Sequence, residues 1–241
     1  MKLILACLSA SLISAGGYVI NDYFDVEIDK INKPYRPLVT GEVSKKEALS
    51  FSLILFSWGL FLSVFIKLSA IFIALFSILV LIYYSFKLKK TLFWGNFLVS
   101  LICALAFVYG GIVGKDFRWS LIPATFAYLF HFGREILKDV EDQEGDKLSN
   151  AKTIPILFGV KPSLFFISFI FSVLIVLTLF PYIFDIFSIS YLIVVLTVDL
   201  LLLYVIWSLW RDWSTENLRR LSRILKMDMI LGLAAIFLGR F

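Results

Sequence analysis

Cysteine and histidine are nearly missing from this chain, which has two Cys and one His in 241 residues. Cys7 and Cys103 each fall inside an apolar run, with no disulfide or thiolate-metal spacing, and both read as buried thiols. The lone His131 lies two turns before Lys138 and reads as a hydrogen-bonded packing residue rather than a base. Regular polar–apolar alternation is also missing, which argues against a membrane β-barrel. Charge is sparse, with 17% Asp, Glu, Lys and Arg against 60% hydrophobic residues and 25 Phe. A soluble domain averages roughly 45–50% apolar residues. The balance points to an all-α integral membrane protein.

Eight apolar runs are long enough, or nearly so, to cross a bilayer as helices: about 1–21, 48–66, 69–86, 93–113, 119–138, 163–182, 188–210 and 224–239. The first, with Lys2 at its start and Ser14-Ala15-Gly16 near its end, has the look of a signal peptide. Asn21 and Asp22 carry the run on into a polar motif, however, and this argues against cleavage. The connections at 30–46, 87–90, 138–161 and 211–226, with Arg134, hold 18 of the 23 Lys and Arg. Lys67, Lys115, Arg118 and Arg240 fall on the other side, with Lys2. The positive-inside rule makes the crowded side cytoplasmic, and every long polar connection lies there.

On that side stands NDYFDVEID, residues 21–29, with four carboxylates in nine residues. Asp22, Asp25 and Asp29 share one face of a helix, so they repel unless a cation sits among them. The motif has a second copy. Residues 22–30 read DYFDVEIDK and residues 139–147 read DVEDQEGDK, which superposes Asp22 on Asp139, Asp25 on Asp142, Asp29 on Asp146 and Lys30 on Lys147. Pro37 and Gly41 match Pro155 and Gly159 one residue out of step. Both copies end a span on the same side, four helices apart, which defines a parallel repeat with halves of about 1–115 and 116–241 in one transmembrane domain, 1–241.

Oxygen ligands without nearby His or Cys select a hard cation, Mg²⁺ or Ca²⁺. Mg²⁺ takes only one or two carboxylates and completes its shell with water and substrate phosphates, so the pattern suits metal-bridged binding of a diphosphate. Cations to complement it are at hand: Lys87, Lys89 and Lys90, Arg134 and Lys138 one turn apart, and Arg36 and Lys152 in the connections. A diphosphate beneath a Phe-rich membrane bundle implies an apolar tail in the bilayer, the shape of a polyprenyl diphosphate. Nothing in the pattern points to nucleic acid.

These residues resemble a known family. NDYFDVEID followed by RPL at 36–38, DVEDQEGD followed by KTIPILFG at 152–159, and YYSFKLKK at 83–90 with Gly95-Asn96 after it are similar to the motifs of the UbiA superfamily of intramembrane prenyltransferases. The likeness runs the whole chain in helix order. Within the superfamily, REILKDVEDQEGD at 134–146 most resembles the archaeal ether-lipid enzymes that make digeranylgeranylglyceryl phosphate. The resemblance implies Mg²⁺-dependent transfer of a geranylgeranyl group from geranylgeranyl diphosphate to the free glycerol hydroxyl of geranylgeranylglyceryl phosphate, at the cytoplasmic face of the cell membrane. It implies that Asn21, Asp22 and Asp25 serve one metal and Asp142 and Asp146 the other, with Asp29 and Asp139 as supporting or alternate ligands. Lys87, in Tyr84-x-x-Lys87, becomes the leading diphosphate contact, with Arg134 and Lys138 next and Arg36, Lys152 and Tyr84 beside them. The family usually has nine transmembrane helices, with the first motif ending the second; here that motif ends the first span, and the expectation is that a leading helix is missing.

Three other readings compete: a family member with an aromatic, quinone-precursor acceptor; a divalent-cation transporter; and a lipid-binding scaffold without catalysis. A transporter would place carboxylates along a path near the bilayer midplane, whereas these cluster at one face. Arg219, Arg220, Arg223 and Lys226 read as topology or lipid head-group residues. Asp199 sits in mid-span, where charge is costly, and reads as a neutral or hydrogen-bonded structural Asp. The Phe side chains are bundle core or lipid-facing first and tunnel lining second.

Overall fold

A computed structural model gives the fold of residues 1–88, 91–114, 117–148 and 151–239. The cations read from sequence at Lys89, Lys90, Lys115 and Arg240 lie outside these described residues. In chain order the elements are α1 (Lys2–Asn32), α2 (Pro37–Thr40), α3 (Lys45–Val64), α4 (Leu68–Phe86), α5 (Trp94–Gly111), a 3-10 turn at Phe117–Ser120, α6 (Leu121–Glu141), α7 (Gln143–Leu148), α8 (Ile154–Phe158), α9 (Val160–Ile183), α10 (Ile189–Arg211) and α11 (Thr215–Leu238). The protein is all-helical, with no strand among the described residues.

Long helices stand at each of the eight expected places. Six of them, α1, α3, α4, α5, α9 and α10, are long and apolar enough to cross a membrane on their own. The other two carry charge along their length: α6 bears Arg134, Glu135 and Lys138, and α11 bears Arg223, Lys226 and Asp228. Helix α1 is unbroken for 31 residues, about 46 Å at 1.5 Å per residue. A hydrocarbon core of about 30 Å takes its first twenty residues, so the acidic motif projects past the apolar layer on the same helix.

The chain divides into two compact units, residues 1–124 with 144–151, and residues 125–143 with 152–241. In the first, α1 packs along α3 and α4. Small residues make the approach close: a Cβ on Gly59 would lie 2.6 Å from Ile13, and one on Gly16 would lie 2.8 Å from the Phe56 ring. Hydroxyls tie the same helices, Ser9 Oγ donating to the Gly59 carbonyl at 2.6 Å and Ser52 Oγ to the Gly16 carbonyl at 2.9 Å. This is how helices associate where lipid removes the hydrophobic drive. Cys7 corrects a sequence expectation, because it lies exposed on α1 rather than buried, while Cys103 is half-buried. An unbroken apolar run marks a span but not which face meets lipid.

In the second unit, α10 and α11 form an antiparallel pair. Asn217 fixes their turn, its Nδ2 donating to the Asp212 carbonyl at 2.6 Å and to Ser208 Oγ at 3.1 Å. Phe171 of α9 is fully buried, and Gly133 of α6 lets its ring approach; a Cβ there would lie 2.4 Å from it.

The sequence repeat has a structural counterpart. After the first acidic motif, Pro37 opens the short helix α2 and Gly41 closes it at φ +83°. After the second, Pro155 sits in the first turn of α8 and Gly159 closes it at φ +89°. Proline suits a first turn, where its missing N–H costs no helical bond, and glycine suits the left-handed exit. These are the two positive-φ glycines among the described residues.

Candidate active site

The acidic face of α1 has its cation within the chain. Arg36 Nη1 donates to Asp22 Oδ1 at 2.5 Å and to Asp29 Oδ2 at 2.6 Å. Asp29 is buried at 5% exposure, so its charge needs this charge-assisted partner. One turn along, Asn21 Nδ2 donates to Asp25 Oδ2 at 2.8 Å, which orients that carboxylate. At the edge of the motif, Lys30 pairs with the exposed Glu27 at 2.7 Å and lowers its carboxyl below the usual range. Arg36 reads from sequence as a diphosphate contact; the structure places it between two of the expected metal ligands, at the N-cap of α2.

The second acidic segment is built differently. Helix α6 ends at Glu141, Asp142 stands in a turn, and α7 resumes at Gln143. The turn keeps a helical bond, Asp142 N–H to the Lys138 carbonyl at 2.8 Å. Asp142 is exposed, and Asp139 and Asp146 are half-buried. Gln143 Nε2 donates to the Pro155 carbonyl at 3.0 Å and so ties the segment to α8. Burial pushes the Glu141 carboxyl up, neighbouring Asp142 adds to the rise, and Arg219, 3.8 Å away, opposes it.

Glu135 is a site residue that the sequence pattern did not single out. It is buried, and its carboxylate accepts from Arg134 Nη1 at 3.0 Å and from Lys138 Nζ at 3.4 Å. One signal could have found it: an acid within α6 flanked by two cations, at i−1 and i+3. Arg134 Nε is buried with no hydrogen-bond partner in the protein, a donor left for a ligand. Lys87 is exposed at the C-cap of α4, one turn beyond the half-buried Tyr84, and Lys152 is exposed ahead of α8. Asp199 is hydrogen-bonded as expected, with the Thr178 hydroxyl 3.1 Å from each of its oxygens. His131 packs edge-on against Phe130. A cavity of about 190 Å³ within the first unit is lined by Ala10, Ile13, Ala74, Ser77 and Tyr109 among others, and by no Phe.

Among the described residues no three His, Cys, Asp or Glu converge as a ready-made metal cluster. Both segments nevertheless offer oxygen donors alone, and Mg²⁺ needs only one or two carboxylates where phosphates complete its shell. The donor set fits that ion.

The class follows from these motifs together with the fold. The UbiA prenyltransferase family matches residues 1–230, and the chain belongs to that family. Digeranylgeranylglyceryl phosphate synthase from Sulfurisphaera tokodaii is 43% identical over 187 residues, which cover 76% of this chain and 67% of that protein. A solved structure of a digeranylgeranylglyceryl phosphate synthase is 39% identical and superposes with a TM-score of 0.81, covering 99% of this chain and 85% of the other. A UbiA homologue from Archaeoglobus fulgidus bound to DMAPP and Mg²⁺ shares the fold at a TM-score of 0.68 and 20% identity, covering 98% of this chain and 87% of the other.

Proposed function

We propose that this multi-pass membrane protein transfers a geranylgeranyl group from geranylgeranyl diphosphate to the free glycerol hydroxyl of geranylgeranylglyceryl phosphate. The observation that carries this reading is the 39% identity across 99% of the chain to a digeranylgeranylglyceryl phosphate synthase of the same fold. Both acidic segments lie on helix ends that the positive-inside rule assigns to the cytoplasmic face, where a soluble diphosphate is released.

Asn21, Asp22 and Asp25 on one segment, and Asp142 and Asp146 on the other, would hold Mg²⁺, with Asp29 and Asp139 in support. Bound there, the ion would neutralise charge growing on the departing diphosphate. The chain's own cations supply the rest of that electrostatic stabilisation, commonly the greatest single contribution to catalysis. Arg134 aims a buried, unpartnered N–H. Lys138 shares Glu135 with it, and Lys87 and Lys152 stand exposed at helix ends with the reach to meet phosphate oxygens. The donor's C1–O bond breaks, the acceptor oxygen bonds to C1, and the hydroxyl proton leaves with the diphosphate. The lipid tail of each substrate stays in the apolar layer.

Purified protein supplied with geranylgeranyl diphosphate and either acceptor, with and without Mg²⁺, tests the proposal. Ether product is expected only from the glycerol phosphate acceptor with Mg²⁺ present. Transfer to a phenolic acid alone would move the protein to the quinone-precursor branch, and metal flux into liposomes without transfer would favour a transporter.

A further inference from the structure

The second unit buries two more carboxylates that prenyl transfer does not use. Asp199 on α10 is 4% exposed and Asp228 on α11 is 0% exposed. Contacts at both ends of the antiparallel pair set their register. Ser208 meets Asn217 near the connecting turn, and at the far end the Ser188 N–H donates to the Gly239 carbonyl at 3.0 Å. Counting eleven residues along each helix from that far end brings Asp199 opposite Asp228. Both lie about 20 Å along their helices from the turn, near mid-span, at 1.5 Å per residue.

A third helix joins them. The Thr178 hydroxyl of α9, which also reaches the Ile175 carbonyl at 2.7 Å, lies 3.1 Å from both oxygens of Asp199, and Tyr191 O–H donates to the Thr178 carbonyl at 2.6 Å, which locks α9 to α10. Asp228 has no such donor. Neither of its oxygens has a hydrogen-bond partner in the protein, although the residue is wholly buried. An ionisable side chain inside a membrane span is costly and calls for a stated partner.

We infer that Asp199, Asp228 and Thr178 form a binding site for one dehydrated monovalent cation of the sodium class, set between α9, α10 and α11. Five oxygens are available, two from each carboxylate and the Thr178 hydroxyl, all hard ligands suited to a hard ion. Mg²⁺ suits the place poorly, because it sheds water reluctantly and usually keeps several waters and substrate phosphates. When the two carboxyls share a single proton the pair carries one net negative charge, which one monovalent cation cancels. The cation would pin three helices of the second unit together, independently of the reaction.

Thermal unfolding of the full chain in detergent tests this, at constant ionic strength and saturating Mg²⁺, with choline chloride exchanged stepwise for sodium chloride. A cation bound only to the folded state raises the midpoint, and an increase of about 2–4 °C per tenfold excess over its dissociation constant is expected. The double substitution Asp199→Asn with Asp228→Asn should abolish the sodium response. A sodium response that survives the double substitution, or a wild-type midpoint indifferent to sodium over choline, overturns the site and leaves the pair holding protons alone. The wild-type titration decides by itself should the double variant not fold.

Discussion

In the first acidic segment the counter-charge comes from beyond the helix. Arg36, seven residues past Asp29, folds back at the N-cap of α2 and bridges Asp22 and Asp29. One turn before the second segment, Arg134 and Lys138 of α6 share the buried Glu135. Both segments are also tied to the proline-led short helix on their C-terminal side, the first through Arg36 and the second through the Gln143 bond to the Pro155 carbonyl. Asp22 and Asp29 are bridged by an ion pair, and the second segment is tied to α8 by the neutral Gln143 hydrogen bond. The first segment stays on a continuous helix with Asp29 buried; the second breaks at Asp142 and leaves that carboxylate exposed. The acid spacing recurs in both segments and the Pro–Gly bracket after them, whereas the side chains around them differ.

The largest effect should come from removing one carboxylate per copy. If the copies are equal partners in holding charge on the diphosphate, Asp25→Ala and Asp142→Ala each lower kcat by about 10²–10³, the range for losing one electrostatic stabiliser. A loss confined to one variant, in the acceptor assay with saturating Mg²⁺, would break the symmetry and name the copy that does the chemistry. A non-catalytic scaffold predicts no loss of function in either.

Next comes the arginine that bridges Asp22 and Asp29. Hydrogen bonds to charged groups contribute about 1.5–3 kcal/mol each at most, so Arg36→Gln should cost roughly tenfold in turnover. It also frees Asp22 and Asp29 from their internal cation. The stabilising effect of Mg²⁺ on the thermal midpoint should therefore grow in Arg36→Gln relative to wild type. An unchanged Mg²⁺ response would mean that Arg36 and the metal do not compete for the same oxygens.

The corresponding change in the second copy has the opposite sign. Glu135→Gln removes a negative charge 3.0 Å from Arg134 and 3.4 Å from Lys138, leaving both free to act on an anion. Inorganic diphosphate should then compete with the donor more tightly, by roughly tenfold for one unit charge at this range in a partly screened site. Glu135→Asp keeps the charge and should compete as wild type does. Weaker competition from Glu135→Gln would make Glu135 a packing residue only.

Periodicity and composition were enough to read eight helices and their order, because apolar runs report burial or lipid directly. The proline and glycine after each acidic segment were legible because each carries a backbone requirement, a helix first turn or a positive-φ exit. Four features were not legible. The bridge from Arg36 depends on how a connection folds back, which spacing does not encode. The burial of Glu135 depends on which face of α6 meets its neighbours, and Cys7 fails for the same reason on α1. Asp228 carries no sequence signal of its own, since Arg219, Arg220, Arg223 and Lys226 precede it in α11 and its full burial depends on how the helices pack.

The smallest predicted effect lies at the helix start just beyond each Pro–Gly bracket. After Gly41 the chain re-enters helix through a capping box, with Ser44 Oγ accepting from the Glu47 N–H at 3.2 Å and the Glu47 carboxylate accepting from the Ser44 N–H at 2.8 Å. After Gly159, α9 begins at once with no side-chain cap. Ser44→Ala should therefore cost about 1 kcal/mol, seen as a midpoint lower by about 2–4 °C, while Lys161→Ala, at the uncapped start of α9, should leave it unchanged. The Ser44 hydrogen bonds hold the Glu47 carboxyl below its usual value of 4.5. Its contribution is accordingly present above that value and lost as pH falls through the lowered one. The midpoint difference between wild type and Ser44→Ala should shrink in acid; a difference that persists there would assign the cap to the Ser44 hydroxyl alone and leave Glu47 outside it.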